Sequence, residues 1–159
     1  MAHDPASQTE AHKATVRALV AAHNRQDAAA AAAFFADDAT NHGRPAGRRG
    51  MERLYRSLYQ AFPDFHWDIR SLIGEDDRVA AEVLMTGTHR GMPELPVFGG
   101  LMHREPPTGK AVSVLNMHLY RFRDGLIVQH AAVRDDLVMM QQLGLLPPAP
   151  PLDPGLTGR

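Results

Sequence analysis

The sequence predicts an α+β domain, and three observations carry that prediction. Met51, Leu54, Tyr55, Leu58, Tyr59 and Phe62 recur at helical spacings and form one apolar stripe. Residues 112–122 instead alternate with period two, and the Asp124-Gly125 pair beyond them is a hairpin signal. Helical signals come first and strand signals second, which is the α+β order and not the βαβ alternation of a parallel sheet.

The elements follow in chain order. Ser7 and Glu10 have capping-box spacing, and Val16, Leu19, Val20 and His23 then continue at helical intervals, predicting a helix over residues 9–26. The alanine run at 28–33, with Phe34 and Phe35, predicts a second, short helix, because alanine is the best helix former. "DDATNHGRPAGRRG" reads as a turn-rich connection with a brief extended piece at residues 40–42. The stripe from Met51 is the third helix, and Pro63 stops it. Phe65, Trp67 and Ile69 alternate with polar residues. "DRVAAEVLMTGTH" and "AVSVLNMHLYRFRDGLIVQHAAV" are the remaining β-rich stretches. A last helix spans 136–143 and is closed by Gly144. Residues 1–8 then form a flexible N-terminus, 9–146 a single domain, and 147–159 an extended, mobile proline-rich tail.

Composition narrows the function classes. A 159-residue chain with 44% hydrophobic residues is long enough for one core with a pocket in it. Lys+Arg at 17 against Asp+Glu at 18 gives no basic excess for nucleic-acid phosphates. The absence of cysteine removes disulfides, thiolate catalysis and Cys-based zinc sites. No signal-peptide pattern and no run of about 18 apolar residues occurs, so a cytoplasmic protein without a membrane partner is expected. Nine histidines form no His-Glu-x-x-His motif, the serines form no G-x-S-x-G elbow, and Lys13 and Lys110 are the only lysines.

Face assignment on the strands gives the candidate site. Val112, Val114, Asn116, His118, Tyr120 and Phe122 share one face, so two polar side chains sit among apolar ones. Leu115, Met117 and Leu119 make the opposite face apolar too, which suggests cover by a partner subunit in a homodimer or higher homo-oligomer. Regular alternation beyond the hairpin puts Ile127, Gln129, Ala131, Val133 and Asp135 on one face, and His130 and Arg134 on the other. Asp136 is then left as the N-cap of the last helix.

Several pieces in order, "NHG", "AFPDFHWDI", "DDRVAAEV", "GTHRG", "PPTGK", "YRFRDGLI" and "RDDLVMMQQLGLLP", resemble the SnoaL-like polyketide cyclases (ester cyclases) of the nuclear transport factor 2-like superfamily. The resemblance implies a cone-shaped α+β barrel, in which a curved, mostly antiparallel sheet has the N-terminal helices packed on its concave face. It also implies aldol-type ring closure of an aromatic polyketide ester without metal or organic cofactor. Matched to the family pattern, Asp135 is the general acid and base. His118 is the second catalytic candidate, as oxyanion donor or proton relay. A hydrophobic polycyclic or polyketide-like substrate would meet His42, Trp67, Asn116 and Tyr120. Gln129-His130-Ala131 stands where the family commonly has Glu-His-Trp, and Val83 where a tryptophan is frequent, so Val83, Gln129 and Ala131 mark a reshaped pocket wall. The punctuated loop at 92–105 is placed to refill it. An isomerase, an epoxide hydrolase or a non-catalytic binding domain in the same cone are the alternative readings.

Overall fold

Among residues 5–151, which the computed structural model describes, the elements run as follows. They are α1 (Pro5–Asn24), α2 (Ala28–Ala32), β1 (Phe35–Asn41), β2 (Arg44–Pro45), α3 (Gly47–Ala61), β3 (His66–Glu75), β4 (Arg78–Thr88), β5 (Ala111–Arg123), β6 (Leu126–Arg134) and α4 (Asp136–Gln142). The strands form one sheet in the order β2-β1-β6-β5-β4-β3. Only the β1–β6 pair is parallel. This mixed, mostly antiparallel sheet with helices over it is the expected cone-type α+β architecture. No described helix is long and apolar enough to cross a membrane.

Helices and sheet share one core. Helix α1 presents Val16, Leu19, Val20 and His23, and α3 presents Met51, Tyr55, Leu58 and Tyr59. These meet Val79, Ala81, Val83 and Met85 of β4 and Val112, Val114, Tyr120 and Phe122 of β5. Burying each large apolar side chain of this kind contributes about 1.5–3 kcal/mol.

Three boundaries differ from the expectation. Helix α1 starts at Pro5, so Ser7 and Glu10 lie inside it, and Glu10 pairs with Lys13 at 2.8 Å instead of closing a capping box. Proline suits a first helical turn, where its missing N–H costs nothing. The rest of the expected flexible N-terminus, residues 1–4, and most of the tail, residues 152–159, lie outside the described residues. Helix α2 stops at Ala32, and Phe35 opens the seven-residue strand β1. Phe35 is fully buried opposite Ile127 of β6, and that long-range pairing overrides the helical tendency of the alanine run. A register shift between Phe35 and Thr40 removes the two-residue alternation that would have announced β1.

Two turns position the site. Asp124 and Gly125 have φ of 53° and 77°, the left-handed pair of a two-residue hairpin between β5 and β6. Gly47, at φ 60°, starts α3 where an added Cβ would lie 2.4 Å from the Asp37 carbonyl oxygen. Only glycine permits that contact between α3 and β1.

Candidate active site

A cavity of about 540 Å³ opens between α3, the inner face of the sheet and the loop at 92–105. Its apolar side is built by Met51, Leu54, Tyr55 and Leu58 of α3, with Phe65, Trp67 and Met85. Its polar side is built by Asn116 and His118 of β5, His130, Ala132 and Arg134 of β6, and Asn41, His42 and Arg44. Pro96, Val97, Phe98 and Gly99 of the loop line its remaining side. The loop is tied to α3 where Leu95 N donates to Ser57 Oγ at 3.0 Å and Glu94 N to Gln60 Oε1 at 3.1 Å. No aspartate or glutamate lines the cavity.

A bulge decides which side chains face inward. Arg123 pairs with Leu126 and Phe122 with Ile127, but Arg121 then pairs with Gln129, leaving Val128 as an extra residue on β6. An extra residue reverses the side-chain parity of everything beyond it. Tyr120, His118 and Asn116 therefore stand opposite His130, Ala132 and Arg134. Regular alternation would have set Tyr120 and His118 opposite Gln129 and Ala131.

The expected site residues divide accordingly. His118, Asn116, Trp67 and His42 line the cavity. Tyr120 lies behind the wall, 99% buried and stacked on His130 with centroids 5.0 Å apart. Val83 is fully buried in the sheet, paired with Asn116, and does not reach the cavity. Gln129 and Ala131 are exposed on the outer face, contrary to the expectation, because of the bulge. Asp135 is also exposed and outside the cavity, and it is Asp135 and not Asp136 that caps α4, its Oδ1 accepting from Val138 N at 3.1 Å. Asp136, in the first turn, accepts from Arg134 Nε at 3.0 Å.

The inward residues form a hydrogen-bonded line. Asn41 Oδ1 lies 2.8 Å from His130 Nδ1, and His130 Nε2 lies 3.0 Å from His118 Nδ1. With the asparagine oxygen accepting, His130 Nδ1 carries a hydrogen, its Nε2 accepts from His118 Nδ1, and His118 Nε2 is left with a free lone pair. That nitrogen is buried and has no hydrogen-bond partner among the described residues, and neither have Asn116 Oδ1 and Trp67 Nε1. Trp67 lies between two histidines, its ring centroid 4.6 Å from His118 and 4.3 Å from His23. Its backbone is fixed by two 2.8 Å hydrogen bonds to the Asn24 carboxamide. Beneath it, His23 Nδ1 meets the Tyr59 hydroxyl at 2.7 Å.

Burial keeps these imidazoles neutral. Loss of hydration, followed by the nearby His23, Arg134 and His42, pushes His118 down to about 3. His130 is driven well below the ordinary histidine range by desolvation first and then by His118, His42 and Arg134. Desolvation and Arg134 also lower His42. Kept uncharged, His118 retains an acceptor lone pair at Nε2, and the burial and positive neighbours that keep it so also lower its basicity.

Sequence reasoning missed Asn41, His130, Ala132 and Arg134, whereas the arginine-rich stretch from Arg44 is by its charge a candidate for attracting a carboxylate. The signal that would have found His130, Ala132 and Arg134 is the bulge, for which nothing in "RFRDGLIVQ" is a marker.

Comparisons with known proteins agree with the architecture. The SnoaL-like polyketide cyclase family model matches residues 13–143. The chain is similar to AclR of Streptomyces galilaeus, a candidate hydroxylase, at 30% identity over 89% of this chain and 86% of that one, with a TM-score of 0.71. It is similar to IdmH of Streptomyces antibioticus, a candidate polyketide cyclase, at 27% identity over 84% and 98% of the two chains, with a TM-score of 0.67. TsrD of Streptomyces laurentii shares the fold, with a TM-score of 0.74 at 24% identity over 91% and 100%. No curated protein matches the chain. With 13–143 covered by one family model, and a 30% identical relative sharing the architecture, the chain belongs to the SnoaL-like polyketide cyclase family.

Proposed function

We propose that the protein is a cofactor-independent polyketide cyclase that closes a ring by an intramolecular aldol-type step, with His118 as the group that takes and returns the proton. The observation that carries this reading is the unpartnered, buried His118 Nε2 in a cavity whose lining has no carboxylate. Asp135, the residue that the family pattern would select, is exposed and engaged with Val138 N.

The step balances without a co-reactant. His118 Nε2 removes a proton from a carbon between two carbonyl groups, and the enolate carbon attacks a second carbonyl of the same molecule. The carbon–carbon bond forms as that carbonyl becomes an alkoxide. The alkoxide recovers the proton from His118, so product and substrate are isomers until any later loss of water. Trp67 Nε1 is a donor for the enolate oxygen, the electrostatic contribution that usually dominates such reactions. Turnover of an aromatic polyketide substrate by His118 and Asp135 variants, followed by mass and retention of the product, tests the assignment.

The same reading includes a homodimer through the outer face of the sheet. Leu115, Met117 and Leu119 are 45–46% exposed and Val133 is 75% exposed, in adjacent positions on β5 and β6. A contiguous apolar surface of this kind is the usual mark of an interface. A Met117→Asp substitution is expected to halve the mass in sedimentation equilibrium while leaving the circular dichroism unchanged. A wild-type chain that sediments as a monomer would refute the dimer.

A further inference from the structure

The cavity wall is electrically one-sided. It carries two guanidinium groups, Arg44 and Arg134, and no carboxylate. Arg134 is well held, with its side chain only 15% exposed. Its Nε donates to Asp136 at 3.0 Å, and its guanidinium carbon lies 5.0 Å from the centre of the Phe98 ring. The two terminal NH2 groups have no partner among the described residues. The Arg44 side chain likewise has neither a hydrogen bond nor an ion pair there, and it is exposed at the same wall. A guanidinium fixed at one nitrogen and one face, with two parallel donors open, matches the two oxygens of a carboxylate.

The neutral groups specify the rest of the ligand. Asn116 is 99% buried, and its unpartnered Oδ1 calls for a donor such as a hydroxyl. Trp67 is 94% buried, and its unpartnered Nε1 calls for an acceptor such as a ring carbonyl. Aromatic and aliphatic walls between these points suit a flat ring system.

Resting on the polyketide reading of this cavity, we propose that its substrate enters as a free carboxylic acid, held in its ionised form by Arg134 with Arg44 beside it, and not as the neutral ester. A hydroxylated aromatic keto acid offers a partner to Arg134, to Asn116 Oδ1 and to Trp67 Nε1. Its methyl ester offers the two open NH2 groups of Arg134 no charged acceptor.

Binding tests this without turnover. Anthraquinone-2-carboxylate and its methyl ester are titrated into the wild-type protein at equal ionic strength. The acid is expected to bind about tenfold tighter or better, as charge-assisted bidentate pairing to arginine requires. In Arg134→Gln that preference should vanish while ester affinity stays the same. An ester that binds the wild type as tightly as the acid overturns the proposal, and this comparison does not depend on the variant folding. A preference that survives in a folded Arg134→Gln protein also overturns it. Acid preference without cyclisation of any candidate would sink the cyclase reading and leave the carboxylate site standing. Cyclisation of esters with no acid preference would do the reverse.

Discussion

Replacing His118 by asparagine is expected to lower kcat by about 10²–10⁴-fold, the range for loss of a positioned acid–base group, with KM little changed. Asparagine retains a polar side chain at a 95%-buried position but has no basic nitrogen, so the cavity survives and the proton acceptor does not. Asp135→Asn is the matched control. Its carboxamide oxygen can still accept from Val138 N, because asparagine caps helices as well as aspartate, and turnover should be that of the wild type. The opposite pattern, Asp135→Asn inactive and His118→Asn active, would return the chemistry to the carboxylate. Turnover retained in both variants would leave no acid–base role for either residue, whereas no turnover even in the wild type would favour a binding domain.

Phe35→Ala is expected to destabilise the protein by about 3–5 kcal/mol, the cost of deleting a fully buried phenylalanine. The side chain has no exposed surface, and its ring lies 6.2 Å from Tyr55 and 6.3 Å from His130, measured between centroids. It sits where β1 joins β6 in the one parallel pairing among the described strands. Urea unfolding should show a lowered midpoint at constant slope. A change below about 1 kcal/mol would mean that the site relaxes around the missing ring, in contradiction to the packing described.

What was legible in the sequence followed regular periodicity. The stripe from Met51 to Phe62 gave α3, and the uninterrupted alternation of β5 gave the inward positions of Asn116 and His118. The motif order gave the family, which residues 13–143 bear out. What was not legible came from single-residue irregularities. The bulge at Val128 costs one position and turns the face of β6 over, exchanging Gln129, Ala131 and Asp135 for His130, Ala132 and Arg134. No local composition marks it, because both faces of "VQHAAVRD" mix small, polar and charged residues. Phe35 fell to the strand because its partner, Ile127, is 92 positions away, beyond the reach of any local pattern.

The dry histidines also make unfolding a proton-consuming reaction. His23 and His118 both rest at about 3 in the folded protein, chiefly through desolvation, against 6.5 for a solvated imidazole. At pH 7 neither state binds a proton there, and their contribution to stability is complete. Between pH 6.5 and 3 the unfolded chain is protonated at both and the native chain is not, so stability must decline across that window by up to about 1.4 kcal/mol per pH unit for each. Urea midpoints should fall steeply from pH 7 to pH 5, and a His23→Phe variant should show a shallower decline. A midpoint independent of pH over that interval would show that the two imidazoles are not held neutral. Acid lability is thus the counterpart of burying uncharged imidazoles beneath and beside the cavity.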